Sequence, residues 1–461
     1  MTSTSTNGAY VNRKAFFSPE VFAEERERIF RHTWQFVAHE TEIPSPGDYV
    51  QRKLGTDTVI VTRSEKGEFK VMLNSCSHRG AQLCTADMGN TSHFRCSYHG
   101  WTYNNSGDLR GVPQMPALYG KMDRSSRGLV QARVATFYGL IFANWDHSGP
   151  SLDDYLGDMK WHMKLMFDRD FEVLGPPTRL LGHHNWKSGA ENWLADGYHG
   201  EMTHKVIIDM GVVLQPGVLM PYLASQGAGM PTPDESMGDL NDFYVTTDQG
   251  HSSMAYRLPL KFERSPVIGY ETHLWDDFAS RMDSEELECA RNRVATVATI
   301  FPNFSYADLT MGTLGDDTPP ISLFIARVWI PVAADRTELF NLVLVPKGAS
   351  EEWKRQAEIA FARNLGSGGV FEVDDLQNWT GMADANAGAV AQSISHDYTA
   401  LPDVTPVDKP EWPGNIYAGP VHDVQFRNYY NAWSRWMTDS SDVVTGIDEE
   451  AIAVPDSQTT V

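Results

Sequence analysis

Residues 76–103 read C-S-H-R-G-A-Q-L-C-T-A-D-M-G-N-T-S-H-F-R-C-S-Y-H-G-W-T-Y, and two short segments in them each carry one thiol and one imidazole: Cys76 with His78, and Cys96 with His99. A zinc site accepts two Cys and two His, but its usual pattern groups the cysteines on one element and the histidines on another. Here both segments are mixed. A [2Fe–2S] cluster with two thiolates on one iron and two imidazoles on the other needs two loops that each give one of each. The remaining cysteines, Cys84 and Cys289, read as buried, inert thiols.

Around these loops the sequence is β-rich. Tyr49–Leu54, Thr58–Thr62 and Phe69–Leu73 are short apolar runs separated by turn residues, and Thr136–Asn144 reads as the closing strand, so residues 43–150 form a small all-β domain. On its N-terminal side, residues 18–38 open with Ser-Pro and acidic first turns and place Phe22, Ile29, Phe30 and Trp34 at helical spacing. One amphipathic helix is expected there, in a segment, residues 1–42, that packs on the domain formed by residues 151–461. That larger part carries helical patterns (Leu152–Phe167, Asn192–Met202), the long strands Ile321–Pro331 and Glu338–Val345, and a helix capped by Ser350. A last amphipathic helix is marked by Phe426, Tyr430, Trp433 and Met437, followed by an acidic tail, frayed from about 439. The fold class is α+β: an N-terminal all-β domain and a C-terminal α+β domain built on an antiparallel sheet.

One stretch fits neither pattern. Residues 206–256 mix Gly, Pro and Asp clusters with Met210, Met220, Met230, Met237 and Met254. They read as a surface excursion or as a lid, since thioether side chains make an adaptable apolar wall.

The 461 residues bury a sizeable core and leave room for two to three domains. Sixty acidic against 38 basic side chains give a formal charge of −22, which repels nucleic acid and anionic bilayers. The N-terminus shows no apolar signal region and no run is apolar enough for a membrane span. Four cysteines make no secreted-type disulfide framework, which points to the cytosol. No G-x-G-x-x-G opens a βαβ unit, so no nicotinamide or flavin site is assigned to the chain.

A second constellation lies at Asp196, Tyr198, His199 and His204. On an ideal helix the two imidazoles would point roughly 140° apart. Both reach one metal only if the helix widens or breaks near Gly200–Thr203. Two His and one carboxylate bind Fe(II) on one side and leave neighbouring positions open for dioxygen and substrate. Asp196 precedes His199 by three residues, so on a helix its carboxylate shares the His199 face and accepts a hydrogen bond from that ring.

The motif C-S-H-R-G…C-S-Y-H-G-W-T-Y is similar to the cluster-binding loops of the large (alpha) subunit of the Rieske non-haem iron aromatic-ring-hydroxylating dioxygenases. The likeness extends through N-W-K-S-G-A-E-N-W-L-A-D-G-Y-H-G-E-M-T-H at 185–204, F-P-N at 301–303 and G-G-V-F-E-V-D-D at 368–375. The resemblance implies a Rieske cluster on Cys76, His78, Cys96 and His99 and a mononuclear Fe(II) on His199 and His204. For the third ligand it points to Asp375, with Asp374 the alternative and Glu372 a neighbour. It implies that Asp196 couples the mononuclear site of one subunit to a Rieske histidine of the next. By position it implies that Asn192 and Trp193 face the iron pocket, and that Leu365 and Phe371 either line its wall or belong to the core. The implied activity is O₂-dependent cis-dihydroxylation of an aromatic ring, with electrons from NADH through a reductase and a ferredoxin. The implied assembly is three alpha subunits with three small beta subunits. A hydrocarbon substrate is favoured; an aromatic acid would want a cation, for which Arg293 and Arg327 are candidates, although an Arg on or before a strand is more often a structural ion-pair partner. A monooxygenase or demethylase shares both metal sites. Arg79, Arg95, Arg110, Lys121, Arg124 and Arg127 form a basic group suited to an acidic ferredoxin.

Overall fold

A computed structural model describes residues 9–194, 196–209, 222–226, 228–229, 242–258, 267–312, 320–418 and 421–438. The contacts divide the chain into two compact units, Arg26–Tyr155 and the remainder on either side of it.

Every sheet of the smaller unit is antiparallel. Phe69–Leu73, Asp57–Arg63, Asp48–Leu54 and Met88–Asn90 lie side by side in that order, and His93–Arg95, Thr102–Asn104 and Leu109–Gly111 form a separate three-stranded sheet. Side chains alternate across a strand, and in Asp57–Arg63 both faces are buried. Val59 and Val61 enter a core with Val37, Ile43 and Val50, while Ile60 enters a second one that holds Cys76, Cys96, Trp101 and Tyr103. The metal loops are therefore seated on the back of the unit's own core strand.

Two expectations for this region need correction. The helix expected over 18–38 ends early: Pro19–Glu25 is α-helical, Arg26–Phe30 is a widened π-type turn, and Gln35–His39 is a strand. All five residues of that strand are buried and it pairs with Leu140–Asn144. A fully buried strand shows no alternation, so nothing in its pattern set it apart from the helical run before it. The strand expected at Thr136–Asn144 is two strands, Arg133–Phe137 and Leu140–Asn144. Tyr138 (φ 44°) and Gly139 (φ 81°) make the tight turn between them, the left-handed pair that a two-residue hairpin demands.

The larger unit is built on eight antiparallel strands, in the spatial order Phe171–Gly182, Arg336–Pro346, Ile321–Ala333, Phe304–Met311, Arg293–Ile300, Ser252–Arg257, Asp242–Thr246, Asn415–Ala418. Ile321–Ala333 is buried from Ile321 to Pro331, and the helices Trp186–Asn192 and Glu351–Asn364 pack against it. Gly189 allows this approach: a Cβ there would stand 2.2 Å from the Trp329 ring. Ser350 caps the second of these helices by accepting from the Trp353 N–H at 3.1 Å, and Val424–Thr438 forms the last helix. The region expected as one helix over 152–167 is two, Leu152–Leu156 and Met159–Phe167, parted at Gly157 (φ 51°).

The N-terminal segment is anchored in this unit up to Glu25. Tyr10–Asn12 pairs with Ser395–Asp397, and the buried Glu25 accepts from Lys187 Nζ, Trp186 Nε1 and Trp433 Nε1 at 2.5, 2.8 and 2.8 Å. From Arg26 onward the chain belongs to the β unit instead. In the 206–256 stretch, Asp242–Thr246 and Ser252–Arg257 are sheet strands, and Met254 packs with Tyr244 and Tyr417 in the core. Met210, Met220, Met230, Met237 and the tail from 439 lie outside the described residues.

Candidate metal centres

The two cluster loops share one backbone frame. Gly80 N–H donates to Cys76 O at 2.8 Å and Gly100 N–H to Cys96 O at 2.9 Å, and both glycines sit at φ 72°. Cys76 N–H closes on Ala81 O and Cys96 N–H on Trp101 O, each at 2.8 Å. A left-handed φ at the fifth position is what turns each loop back, and glycine takes it without strain. The second loop is a hairpin tip between His93–Arg95 and Thr102–Asn104. The first is not: Phe69–Leu73, which precedes it, and Met88–Asn90, which follows, are separated in the sheet by two other strands.

The frame brings the four predicted side chains together. Both sulfurs belong to buried residues, and the rings of His78 and His99 lie 4.6 Å apart, centroid to centroid. Trp101 stacks on His78 at 4.8 Å, and His78 Nδ1 is buried without a hydrogen-bond partner. A buried ring nitrogen left unsatisfied costs energy unless something ligates it, so the donor set fits a cluster held by two thiolates and two imidazoles.

The sequence did not single out Tyr103. Its hydroxyl lies 3.3 Å from Cys76 Sγ and 2.8 Å from Ser77 Oγ and accepts from Ser77 N–H at 3.2 Å. Burial and the adjacent Cys76 sulfur hold the phenol protonated, well above its ordinary range, so it has a proton to donate to one of the two. Cys84 donates to Ala86 O at 3.4 Å in the core beneath, and the buried Cys289 accepts from Arg293 at 3.0 Å.

In the larger unit, His199, His204 and Asp375 each offer an atom, all within 4.8 Å of one another. His199 Nε2 and His204 Nε2 stand 3.4 and 3.3 Å from the same oxygen, Asp375 Oδ1. The two imidazoles converge because the helix breaks: Gly197–Thr203 ends at His204 (φ −94°, ψ 8°), and Lys205–Asp209 starts a new one. Asp375 comes from Val370–Asn386 and is buried. Burial pushes its carboxyl up, but the two imidazoles beside it, His199 and His204, outweigh this and hold it below the usual carboxylate range. Two imidazole nitrogens and an ionised carboxylate on one side of a point fit a divalent iron with open positions opposite. Asp374 lies on the outside, 41% exposed, 3.6 Å from His204 Nδ1 rather than Nε2.

Asp196 acts differently from the expectation. It caps Gly197–Thr203, its Oδ1 accepting from His199 N–H at 3.1 Å, and its backbone carbonyl, not its carboxylate, takes the His199 Nδ1 hydrogen bond at 2.6 Å. The carboxylate Oδ2 stays 3.8 Å from that nitrogen. The physical reason is that Asp196 sits just outside the helix, where capping turns its side chain onto the backbone. The carbonyl still fixes the tautomer, with the proton on Nδ1 and the Nε2 lone pair toward Asp375.

The remaining predictions divide. Asn192 ends Trp186–Asn192, half-buried, its carbonyl accepting from Asp196 N–H at 3.2 Å. Phe371 packs edge-on to His204 at 4.7 Å, and Leu365 is buried at the end of Glu351–Asn364. Trp193 is turned against Arg327 and Trp329, at 4.4 and 5.9 Å. The two cations considered for a substrate carboxylate are both engaged: Arg327 with Glu372 at 2.5 Å, Arg293 with Cys289. Arg79, Arg95, Arg110, Lys121, Arg124 and Arg127 are all exposed.

Comparison with known proteins agrees with both centres. Residues 33–135 match the Rieske [2Fe-2S] domain, and residues 152–438 match the catalytic domain of the ring-hydroxylating alpha subunit. The chain is 34% identical to the alpha subunit of biphenyl 2,3-dioxygenase from Rhodococcus jostii (strain RHA1), over 91% of this chain and 86% of that one. It is 35% identical to the alpha subunit of an N,N-dimethyl phenylurea N-demethylase from Sphingobium sp. (strain YBL2), over 80% and 78%. Naphthalene 1,2-dioxygenase from Rhodococcus sp., solved with indole bound, superposes with a TM-score of 0.84 at 34% identity, covering 94% of this chain and 95% of that one. The chain belongs to the Rieske non-haem iron ring-hydroxylating oxygenases, as an alpha subunit, and is an oxidoreductase that uses a [2Fe–2S] cluster and a mononuclear iron. Among the described residues no helix is long and apolar enough to cross a membrane.

Proposed function

We propose that the chain catalyses cis-dihydroxylation of a mono- to polycyclic aromatic hydrocarbon, in which arene, O₂, two electrons and two protons give a cis-dihydrodiol. One observation carries the mononuclear site that this reading needs, two imidazole Nε2 atoms facing a single carboxylate oxygen of Asp375, and the likeness to the biphenyl and naphthalene dioxygenases favours dihydroxylation as its use. On this reading, His199, His204 and Asp375 hold the mononuclear iron, and Cys76, His78, Cys96 and His99 hold the cluster. When bound, the mononuclear iron supplies dioxygen activation and the cluster supplies electrons singly. The residues do the rest. The Asp196 carbonyl keeps the His199 proton on Nδ1, Asp375 stays ionised, and Phe371 supplies an apolar ring beside His204. With Arg327 and Arg293 engaged elsewhere, neither supplies a counter-charge for an aromatic acid, which favours a hydrocarbon.

Electrons come from NADH through a reductase and an acidic ferredoxin that docks on the exposed Arg face, in the cytosol. Three alpha and three small beta subunits assemble, and the partly exposed Asp196 carboxylate reaches a cluster histidine of a neighbouring subunit. The demethylase relative supports a second reading, oxygen insertion at an N-methyl group of an aryl urea. Product analysis with labelled dioxygen over naphthalene, biphenyl, phthalate and an N,N-dimethyl aryl urea separates the readings. A cis-diol carrying both labelled atoms, from a hydrocarbon, is the expected result. Formaldehyde from the urea alone favours the second reading, and turnover of phthalate alone refutes the first.

A further inference from the structure

Arg327 lies on the central strand Ile321–Ala333 and is fully buried. Its guanidinium grips the equally buried Glu372 with both forks, Nη2 to Oε2 at 2.5 Å and Nη1 to Oε1 at 3.3 Å. Nε donates to Asn341 Oδ1 at 2.5 Å, from the residue directly opposite on the neighbouring strand. Its planar face lies 4.4 Å from the Trp193 ring. All five donors of an arginine fork are fixed in one plane, so a group held this way transmits position rather than charge alone.

One of the elements it grips delivers a metal donor, and the other leads into the helix that carries His199. Glu372 stands three residues before Asp375 on the same helix, Val370–Asn386, and so shares its face. Trp193 follows Asn192 and stands three residues before Asp196, the cap of the helix that carries His199. Bonded in turn to Asn341, one side chain rooted in the sheet therefore touches both supports.

We propose that Arg327 is a positioning residue of the oxygenase: clamped between Glu372 and Trp193, it sets the spacing between the Asp375 carboxylate and the His199–His204 segment. Glu372 is its counterpart, neutralising the guanidinium and tying it to the helix that carries Asp375. This rests on the reading that His199, His204 and Asp375 hold the mononuclear iron.

The test uses the full chain with its cluster in place. In the double variant Arg327→Met/Glu372→Leu both charges go and most of the volume stays, a replacement that many folds accept without loss of stability. The expected result is a wild-type melting temperature and a wild-type EPR signal from the reduced cluster. Co(II) affinity at the three-donor site falls by roughly 10–100-fold, the effect typical of losing a group that orients a ligand, and the ligand-field spectrum changes. A folded double variant with unchanged Co(II) affinity and spectrum overturns the proposal. If the double variant does not fold, Arg327→Lys decides instead: it keeps the charge but loses the fork and the ring contact, and must show the same selective loss. His199→Ala is run alongside. If the wild-type Co(II) spectrum survives in that variant, the donor assignment has failed, an outcome distinct from failure of the clamp.

Discussion

Each cluster loop closes on itself within five residues, by a glycine N–H on a cysteine carbonyl, whereas the three donors of the other centre depend on structure far from them in sequence. Cys76–Gly80 and Cys96–Gly100 repeat the same turn, and only the histidine position differs, second after the cysteine in one and third in the other. At the mononuclear centre His199 and His204 are brought together by a helix break, and Asp375 is brought to them by a separate helix that Arg327 ties to the sheet. A locally closed loop carries its geometry with it. An assembled site inherits its geometry from the packing of the whole unit, and so responds to changes that touch no donor.

The largest effect expected from this contrast is at Asp375. Asp375→Asn should lower mononuclear metal affinity by more than roughly 100-fold, beyond the range typical of an outer partner, and abolish turnover. Asp374→Asn, at an exposed neighbour, should change affinity by less than about fivefold, the worth of a surface ion pair. Metal titration and turnover of the two variants check this, and equal losses would mean that both carboxylates serve the site.

How legible each region was follows from the same contrast. The cluster loops were readable because the spacing of Cys76, His78, Cys96 and His99 is itself the geometry. The strands Asp57–Arg63 and Ile321–Ala333 were readable to within two residues from their apolar runs. Gln35–His39 was not, since a strand buried on every residue has no period to detect. At the second centre, spacing alone left His199 and His204 ambiguous, and the choice of Asp375 over Asp374 came from family likeness. Which ring nitrogen faces which oxygen needed the fold. The role of the Asp196 carbonyl was invisible because a backbone acceptor has no sequence signature, and an ion-pair role for Arg327 was legible while its partner was not, because Glu372 lies on a distant helix.

Acid should separate the two units next. Burial holds His162 and His184 neutral, their pKa values pushed down to about 4. Between that value and the unfolded-state value near 6.5 the unfolded chain binds more protons, so their contribution is full above about 6.5 and is lost as pH falls toward 4. At pH 5 each costs about 2 kcal/mol. In the smaller unit, Asp146 is held below the usual carboxylate range by hydrogen bonds from His32 and Ser148, so its contribution persists until the pH falls below about 4. Acid titration followed by tryptophan fluorescence and by visible dichroism of the cluster should show the larger unit weakening first. Coincident loss at pH 6 to 5 would contradict this.

A smaller effect is expected at Tyr103. Tyr103→Phe removes the hydroxyl beside Cys76 and Ser77. A hydrogen bond toward the cluster side favours the more negative, reduced state, so the potential should drop by on the order of 50 mV, somewhat under the 59 mV of a tenfold change. Mononuclear metal affinity should not move. Redox titration of the cluster and metal titration of the variant check both halves.

The most direct test counts metal. Iron and acid-labile sulfide are measured per chain in the wild type and in His199→Ala, with EPR of the reduced cluster recorded on the same samples. Two centres of the kinds described predict about three iron and two sulfide in the wild type and about two of each in the variant, with the cluster signal unchanged. A variant that keeps its third iron, or one that loses cluster and iron together, would contradict two separately built centres with His199 in the second.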